Sequence, residues 1–186
     1  MASENRNPFI SVQYLRINSI INDNVDANVL LPVIRMAESK YIQQVIGSNL
    51  YTKLVTDANG GTITGNYKIL LEDYIIPVLL QYSVYESVPY MAFKFRNKGI
   101  QKQSGDNSEP VELTELTFVR DNVLQTAQFY SERLTKYLIY NATLFPEYQS
   151  STTDLNPNTK SYFNGIHIPN KYGRRCLGDP GGEINL

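Results

Sequence analysis

Apolar residues recur three and four positions apart through most of residues 26–148, the period of amphipathic helices. From Asp26, DANVLLPVIRMAESKYIQQVIG places Leu30, Val33, Ile34, Ala37, Tyr41, Val45 and Ile46 on one face with polar residues between them. Asp26 is suited to an N-cap and Gly47 to a C-terminal stop. Pro32 complicates the start, because an interior proline removes a backbone hydrogen bond; the alternative is a start near Leu31, with Pro32 in the first turn. After Gly47, SNLYTKLV predicts a short second helix capped by Ser48, with Leu50, Tyr51 and Leu54 inward, and TDANGGTITGN ends it.

The next segment, YKILLEDYIIPVLLQYSVYESVPYMAF, is apolar on nearly every face. A helix of that kind in a water-exposed chain is either central or covered by another subunit, and Pro77 and Pro89 are expected to kink or divide it. The cleanest period belongs to ELTFVRDNVLQTAQFYSERLTKYLIYN, with Leu116, Val119, Val123, Ala127, Tyr130, Leu134, Tyr137 and Asn141 in register. Thr114 to Asn141 would form a helix about 42 Å long, and LFPEY stops it. Residues 149–186 are rich in Ser, Asn, Pro and Gly and hold one alternating island, YFNGIHIP, with Tyr162, Phe163, Ile166 and Ile168. Such a tail cannot bury a core alone and is expected as an extended arm.

Between the last two helices lies FKFRNKGIQKQSGDNSEP, Phe93 to Pro110. A helix-to-helix connection needs roughly 2–8 residues, so this one is long. Phe93 and Phe95 alternate with Lys94 and Arg96 before the turn Asn97-Lys98-Gly99, a hairpin pattern. A lone two-stranded hairpin is marginal in water, which makes a neighbouring copy the natural support. Lys94, Arg96, Lys98 and Lys102 form the densest basic cluster; a solvated rim, a contact to an acidic protein surface and a DNA contact all remain open for it. The expected organisation is mainly α: an N-terminal arm and lead-in at 1–25, a helical-bundle domain at 26–148 with one long C-terminal helix and a small inserted β-hairpin at 93–110, and an extended C-terminal arm at 149–186.

Charge and chemistry narrow the function. The 17 basic and 18 acidic residues leave a net charge of −1, which argues against a binder held by phosphate neutralisation. The most apolar run, YIIPVLL, is too short to cross a bilayer. MASENRNPF lacks the apolar core of a secretory signal, so the chain is expected to fold where it is made, and the single Cys176 excludes an internal disulfide and fits a reducing cytosol. GGTITGNYK begins like a phosphate loop, but Asn66 stands where a lysine is required, leaving a flexible turn. His167 and Cys176 lie in a Gly/Pro-rich arm with no rigid frame for a dyad, and together cannot complete a usual zinc site. Glu72 and Asp73 are adjacent and diverge on a helix, which suits a solvated or inter-subunit face. No catalytic, cofactor-binding or metal-ligating residues are therefore expected. Fourteen tyrosines and no tryptophan suggest interfaces, where Tyr buries its ring and keeps a polar tip. Tyr41, Tyr74, Tyr130 and Tyr137 are assigned to the core, and Tyr82, Tyr85 and Tyr90 to an interface, with Phe93, Lys94, Phe95, Arg96, Lys98, Lys102 and the tail island.

The order of parts, LLPVIRMAESKYIQQVIGSNLYTKL, an apolar helix, FKFRNKGIQKQSGDNSEP and a long helix ending SERLTKYLIYN, resembles the helical head-to-tail adaptor proteins of tailed bacteriophages. The likeness runs over roughly residues 10–150 and is closest to the version in phages of Bacteroidetes, including the crAss-like group. The resemblance implies a non-enzymatic virion protein made in the host cytoplasm. It implies a homo-oligomeric ring, usually of twelve, at the virion neck between the portal protein and neighbouring tail or neck proteins. DNA would pass through the lumen without sequence-specific binding, and no membrane is involved. In such adaptors the C-terminal arm often reaches the portal or a neighbouring ring. The alternative from another class is a cytosolic helical module that recruits a protein partner through the basic hairpin.

Overall fold

The segment that is apolar on every face lies inside a helical bundle, covered by helices of its own chain. The computed structural model describes residues 7–21, 24–96, 99–102, 112–148 and 154–157, with the backbone alone for 94–96, 99–102 and 113, and the protein is mainly α-helical. Helices are α1 (Val12–Asn18), α2 (Ala27–Ala37), α3 (Gln43–Ile46), α4 (Ser48–Asn59), α5 (Gly65–Ile69), α6 (Ile76–Ala92) and α7 (Leu113–Tyr140). Wider π-helical turns at Glu38–Ile42 and Leu70–Ile75 join α2 to α3 and α5 to α6, so each pair runs as one continuous helix.

The α2 start settles on the Asp26 cap, whose side chain accepts from the Asn28 amide at 2.9 Å. Pro32 is therefore interior, not in the first turn. The carbonyl it leaves without a partner belongs to exposed Asn28, where water can serve, while the extra turn buries Leu30 completely. Residues 7–21, expected as an arm and lead-in, pack on the bundle: Ile10, Leu15 and Ile21 are buried, and the Phe9 amide donates to Glu38 Oε2 at 3.2 Å. The Phe9 ring meets Tyr51 edge-on, centroids 5.9 Å apart.

Along α6, Val78, Leu79, Leu80, Tyr82, Val84 and Val88 are all buried. α2 covers one side and α7 another, with α1 on α2 and α6. Pro77 does not divide the helix. The π-helical turn immediately before it shifts the bonding to five-residue spacing, with the Ile76 amide on the Leu71 carbonyl, as befits a site next to a residue with no amide hydrogen. The helix also continues through Pro89 to Ala92.

α7 spans about 42 Å and runs antiparallel to α6: Tyr74 stacks on Tyr137 at 3.8 Å, and Arg120 lies over the Tyr85 ring at 4.4 Å. Its C-terminal half buries Ala127, Leu134 and Leu138; from 112 to 126 no described side chain is buried. Beyond its end, Phe145 and Tyr148 turn inward, and Tyr67 donates to Glu147 Oε2 at 2.6 Å. The backbones of β1 (Phe93–Arg96) and β2 (Gly99–Lys102) run antiparallel, Phe95 opposite Ile100. The rest of the expected hairpin insertion, 97–98 and 103–110, lies outside the described residues.

Gly47 forms the joint between α3 and α4 at φ 77 and ψ 159, a conformation essentially confined to glycine. It is also the N-cap of α4. Ser48, expected as that cap, is the first helical residue, and its hydroxyl accepts from Gln43 Nε2 at 3.2 Å. The Ser48 amide donates to the Leu155 carbonyl at 3.0 Å, so residues 154–157 form a strap across the joint. Of the expected C-terminal arm, these four residues are the described part.

A Cβ on Gly47 would lie 2.8 Å from the Pro157 ring. Gly47→Ala therefore combines backbone strain of about 1–3 kcal/mol with a steric clash, and urea unfolding should show a loss of at least about 1 kcal/mol. A loss below about 0.3 kcal/mol would mean that strap and joint yield freely. Burial first, and then the bond to Glu147, push the Tyr67 hydroxyl from 10.0 up to about 12. The folded state then keeps a proton that the unfolded tyrosine releases, so this contribution to stability is full below pH 10 and is lost as pH rises towards about 12. Comparing wild type with Tyr67→Phe across that range should show a shallower fall for the variant; parallel curves would exclude the linkage.

Candidate interaction surface

The carboxylates inside the bundle tie helices together. Glu86 on α6 accepts from Tyr41 Oη at 2.6 Å and ion-pairs with Lys40. Tyr41 stacks on Tyr82, ring centroids 3.7 Å apart. Desolvation, reinforced by the bond to Glu86, raises the Tyr41 pKa and keeps its hydroxyl a donor. Glu38, fully buried in the first π-helical turn, accepts from the Phe9 amide and from Tyr51 Oη, the latter at 2.7 Å. Glu38 is thus engaged by groups from two separate segments, and Glu86 by two neighbouring residues of the first π-helical turn. Glu72 and Asp73 are exposed, with Lys68 3.8 Å from Glu72. Among the described residues no three His, Cys, Asp or Glu side chains cluster as metal ligands; His167 and Cys176 lie outside those residues.

The sequence-predicted interface residues divide. Tyr82 is buried and stacked on Tyr41, so it belongs to the core and not to an interface: a helix apolar on all sides gives no sign of which side its own chain will cover. Tyr85 is half-buried beneath Arg120, Tyr90 is exposed, and Phe93 is half-buried where α6 passes into β1. These three sit along the last turns of α6. Lys94, Phe95, Arg96 and Lys102 are placed by their backbone alone. Lys98, Tyr162, Phe163, Ile166 and Ile168 lie outside the described residues. The tyrosines assigned to the core, Tyr41, Tyr74, Tyr130 and Tyr137, are partly buried against it.

Sequence reasoning missed the largest exposed apolar groups. Phe118, Phe129 and Tyr140 stand eleven positions apart on α7 and are 69, 62 and 89% exposed. Eleven residues make almost exactly three helical turns, so the three rings form one outward stripe. From Asn122 to Ser131 there is no charged residue. Asn122 Nδ2 donates to the Phe118 carbonyl and Thr126 Oγ1 to the Asn122 carbonyl, both at 3.1 Å, so these polar groups fold down onto their own helix. A second apolar face lies on α1 and just past it, where Ile17 and Ile20 are 71 and 78% exposed beside Tyr14. The eleven-residue repeat was readable in principle but is overlaid by the stronger three-and-four spacing of the inward residues.

Removing the Glu86 carboxylate leaves Lys40 and Tyr41 Oη without it. Glu86→Ala should cost about 1–3 kcal/mol, and Tyr41→Phe should cost less in that background than in wild type, with a coupling of about 0.5–3 kcal/mol. Denaturant unfolding of the four proteins measures this; additive losses would show that the two groups act independently.

No curated protein and no solved structure matches the chain. The profile of a family of unknown function matches residues 42–156. That span begins at the end of the first π-helical turn, takes in α3 to α7, and ends in the strap over Gly47. The match covers more than half of the chain, so the protein belongs to the family of unknown function DUF6712.

Proposed function

We propose that the protein is a non-enzymatic virion component of a tailed bacteriophage: a ring-forming adaptor that docks on the portal, connects it to the tail and surrounds the DNA exit channel. The observation that carries this reading is α7, whose first half buries no described side chain and whose outward stripe of Phe118, Phe129 and Tyr140 leaves water facing large rings. Exposed apolar surface of that extent marks an interaction face. The sequence resemblance supplies the setting of portal and tail. In this reading the segment 93–110 is a basic β-hairpin and return loop that engages an adjacent subunit or the next ring, and residues beyond the strap form the arm that reaches a neighbour. The net charge of −1 suits a lumen through which DNA slides without being gripped.

Two measurements test the reading. Mass spectrometry of purified particles should recover the protein at a copy number close to that of the portal; recovery from infected-cell lysate alone would refute it and favour a module that recruits a single partner. Replacing residues 96–107 with a short Gly/Ser linker should leave the monomer folded by circular dichroism and abolish incorporation into particles. Normal infectivity of that variant would make the segment a tolerated surface insertion.

A further inference from the structure

We infer that the outer face of α7 between Phe118 and Phe129 receives α1 of a second copy of this chain, in a head-to-tail contact. This deepens the ring reading and rests on it, since it names the two surfaces through which copies meet.

The α7 face has the shape of a seat. Eleven residues at 1.5 Å each set the two phenylalanines about 16 Å apart along the helix. Between them Asn122 and Thr126 bond back onto the carbonyls of their own helix, and the uncharged, exposed Gln125 stands at the middle of the floor. A helix with its side chains is about 10–12 Å across, so one helix fits between the two rings.

α1 has the matching properties. It is about 10 Å long, and its exposed Tyr14 and Ile17 are joined by exposed Ile20 two residues past its end. Asn18 Nδ2 is turned back onto the Tyr14 carbonyl at 3.0 Å, which leaves the Tyr14 hydroxyl and Gln13 as the polar groups beside the apolar residues. Its inner side is fastened to its own bundle by buried Leu15, with Ile10 and Ile21 buried on either flank. The Arg16 guanidinium is occupied by the Val25 carbonyl. α1 is therefore fixed with its apolar side turned away from its own core.

Charge selects among occupants. The centre of the seat, Asn122 and Gln125 between the two rings, carries no charge, and the one charge on its flank is the anionic Asp121; the exposed residues of α1, Gln13, Tyr14, Ile17 and Asn18, and its cap Ser11 carry none. Absence of charge at the centre is the compositional mark of an interface core. A phosphate backbone or an acidic peptide would find no cation on the floor; an uncharged apolar helix finds complementary chemistry, and this chain presents one. Because the two surfaces differ, each copy offers one and accepts the other, which propagates into a closed ring or a filament.

The test uses the full chain and two variants at exposed positions, Ile17→Glu with Ile20→Glu, and Phe118→Glu with Phe129→Glu, each first shown to keep the wild-type circular dichroism. In sedimentation velocity and native mass spectrometry, wild type should grow in mass with concentration, and each variant alone should stay monomeric, with self-association weakened at least about tenfold. Mixed one to one, the variants should form a heterodimer and nothing larger, because one intact seat meets one intact α1. A mixture that stays monomeric, a variant that dimerises alone, or a wild type monomeric at millimolar concentration overturns the inference. Rings that survive both variants overturn it while leaving the ring reading intact; failure of the ring reading shows separately, as absence of the protein from purified particles.

Discussion

The structure depends on one constraint: α6 has no polar side, so it must be covered all round. A helix with one apolar stripe can lie on a surface, but one that is apolar throughout is a core element. α2 and α7 are set against it, with α1 on α2 and α6. The polar groups on α6 that cannot avoid burial are satisfied locally or by a dedicated partner. Ser83 and Ser87 donate to carbonyls of their own helix at 2.7 Å, and Glu86 receives Tyr41 and Lys40. An unpartnered buried carboxylate would cost far more than these bonds contribute. Glu86 therefore sets where the helix bearing Tyr41 can lie against α6.

The two π-helical turns follow from the same demand. Each inserts wider spacing into a long helix, one where Glu38 and Tyr41 turn inward, the other just before Pro77. In the first, consecutive residues from Ala37 to Ile42 contribute buried Ala37, Glu38 and Ile42 together with half-buried Tyr41, a wider inward arc than an ordinary stripe provides. That arc lets one helix hold the N-terminal segment through Glu38 and α6 through Tyr41.

How much of this was legible in the sequence varies with the length scale of the signal. The spacing of Leu116 through Tyr137 predicted α7 to within one residue at each end, and Gly47 marked the break between α3 and α4, because caps and periods are local. α1 was not foreseen, since seven residues are too few for a stable isolated helix; its order comes from burying Leu15 and from the Phe9–Glu38 bond. The π-helical turns left no pattern in spacing. Tyr82 was misassigned because periodicity reports that a side is apolar and is silent about what covers it. Phe118 and Phe129 were passed over because they lie off the inward face, and a search for core residues does not count what points outward.

The separation between α6 and the outward stripe of α7 has a physical consequence. The core is closed by α6 and the inward residues of α1, α2 and α7, so the monomer does not need Phe118, Phe129 or Tyr140 to fold. Polar residues there would remove the exposure of three large rings at little cost to the core, since the exposed positions of a helix are set by propensity more than by packing. Phenylalanine is not among the best helix formers, and on the solvent side it gains none of the burial that offsets that preference in a core. Rings at 69 and 62% exposure are therefore not what folding alone would select. Their free energy is realised when something covers them, and the same holds for Ile17 and Ile20. In the proposed ring, stability of the single chain and cohesion between chains would thus rest on different residues, and the second could change without disturbing the first.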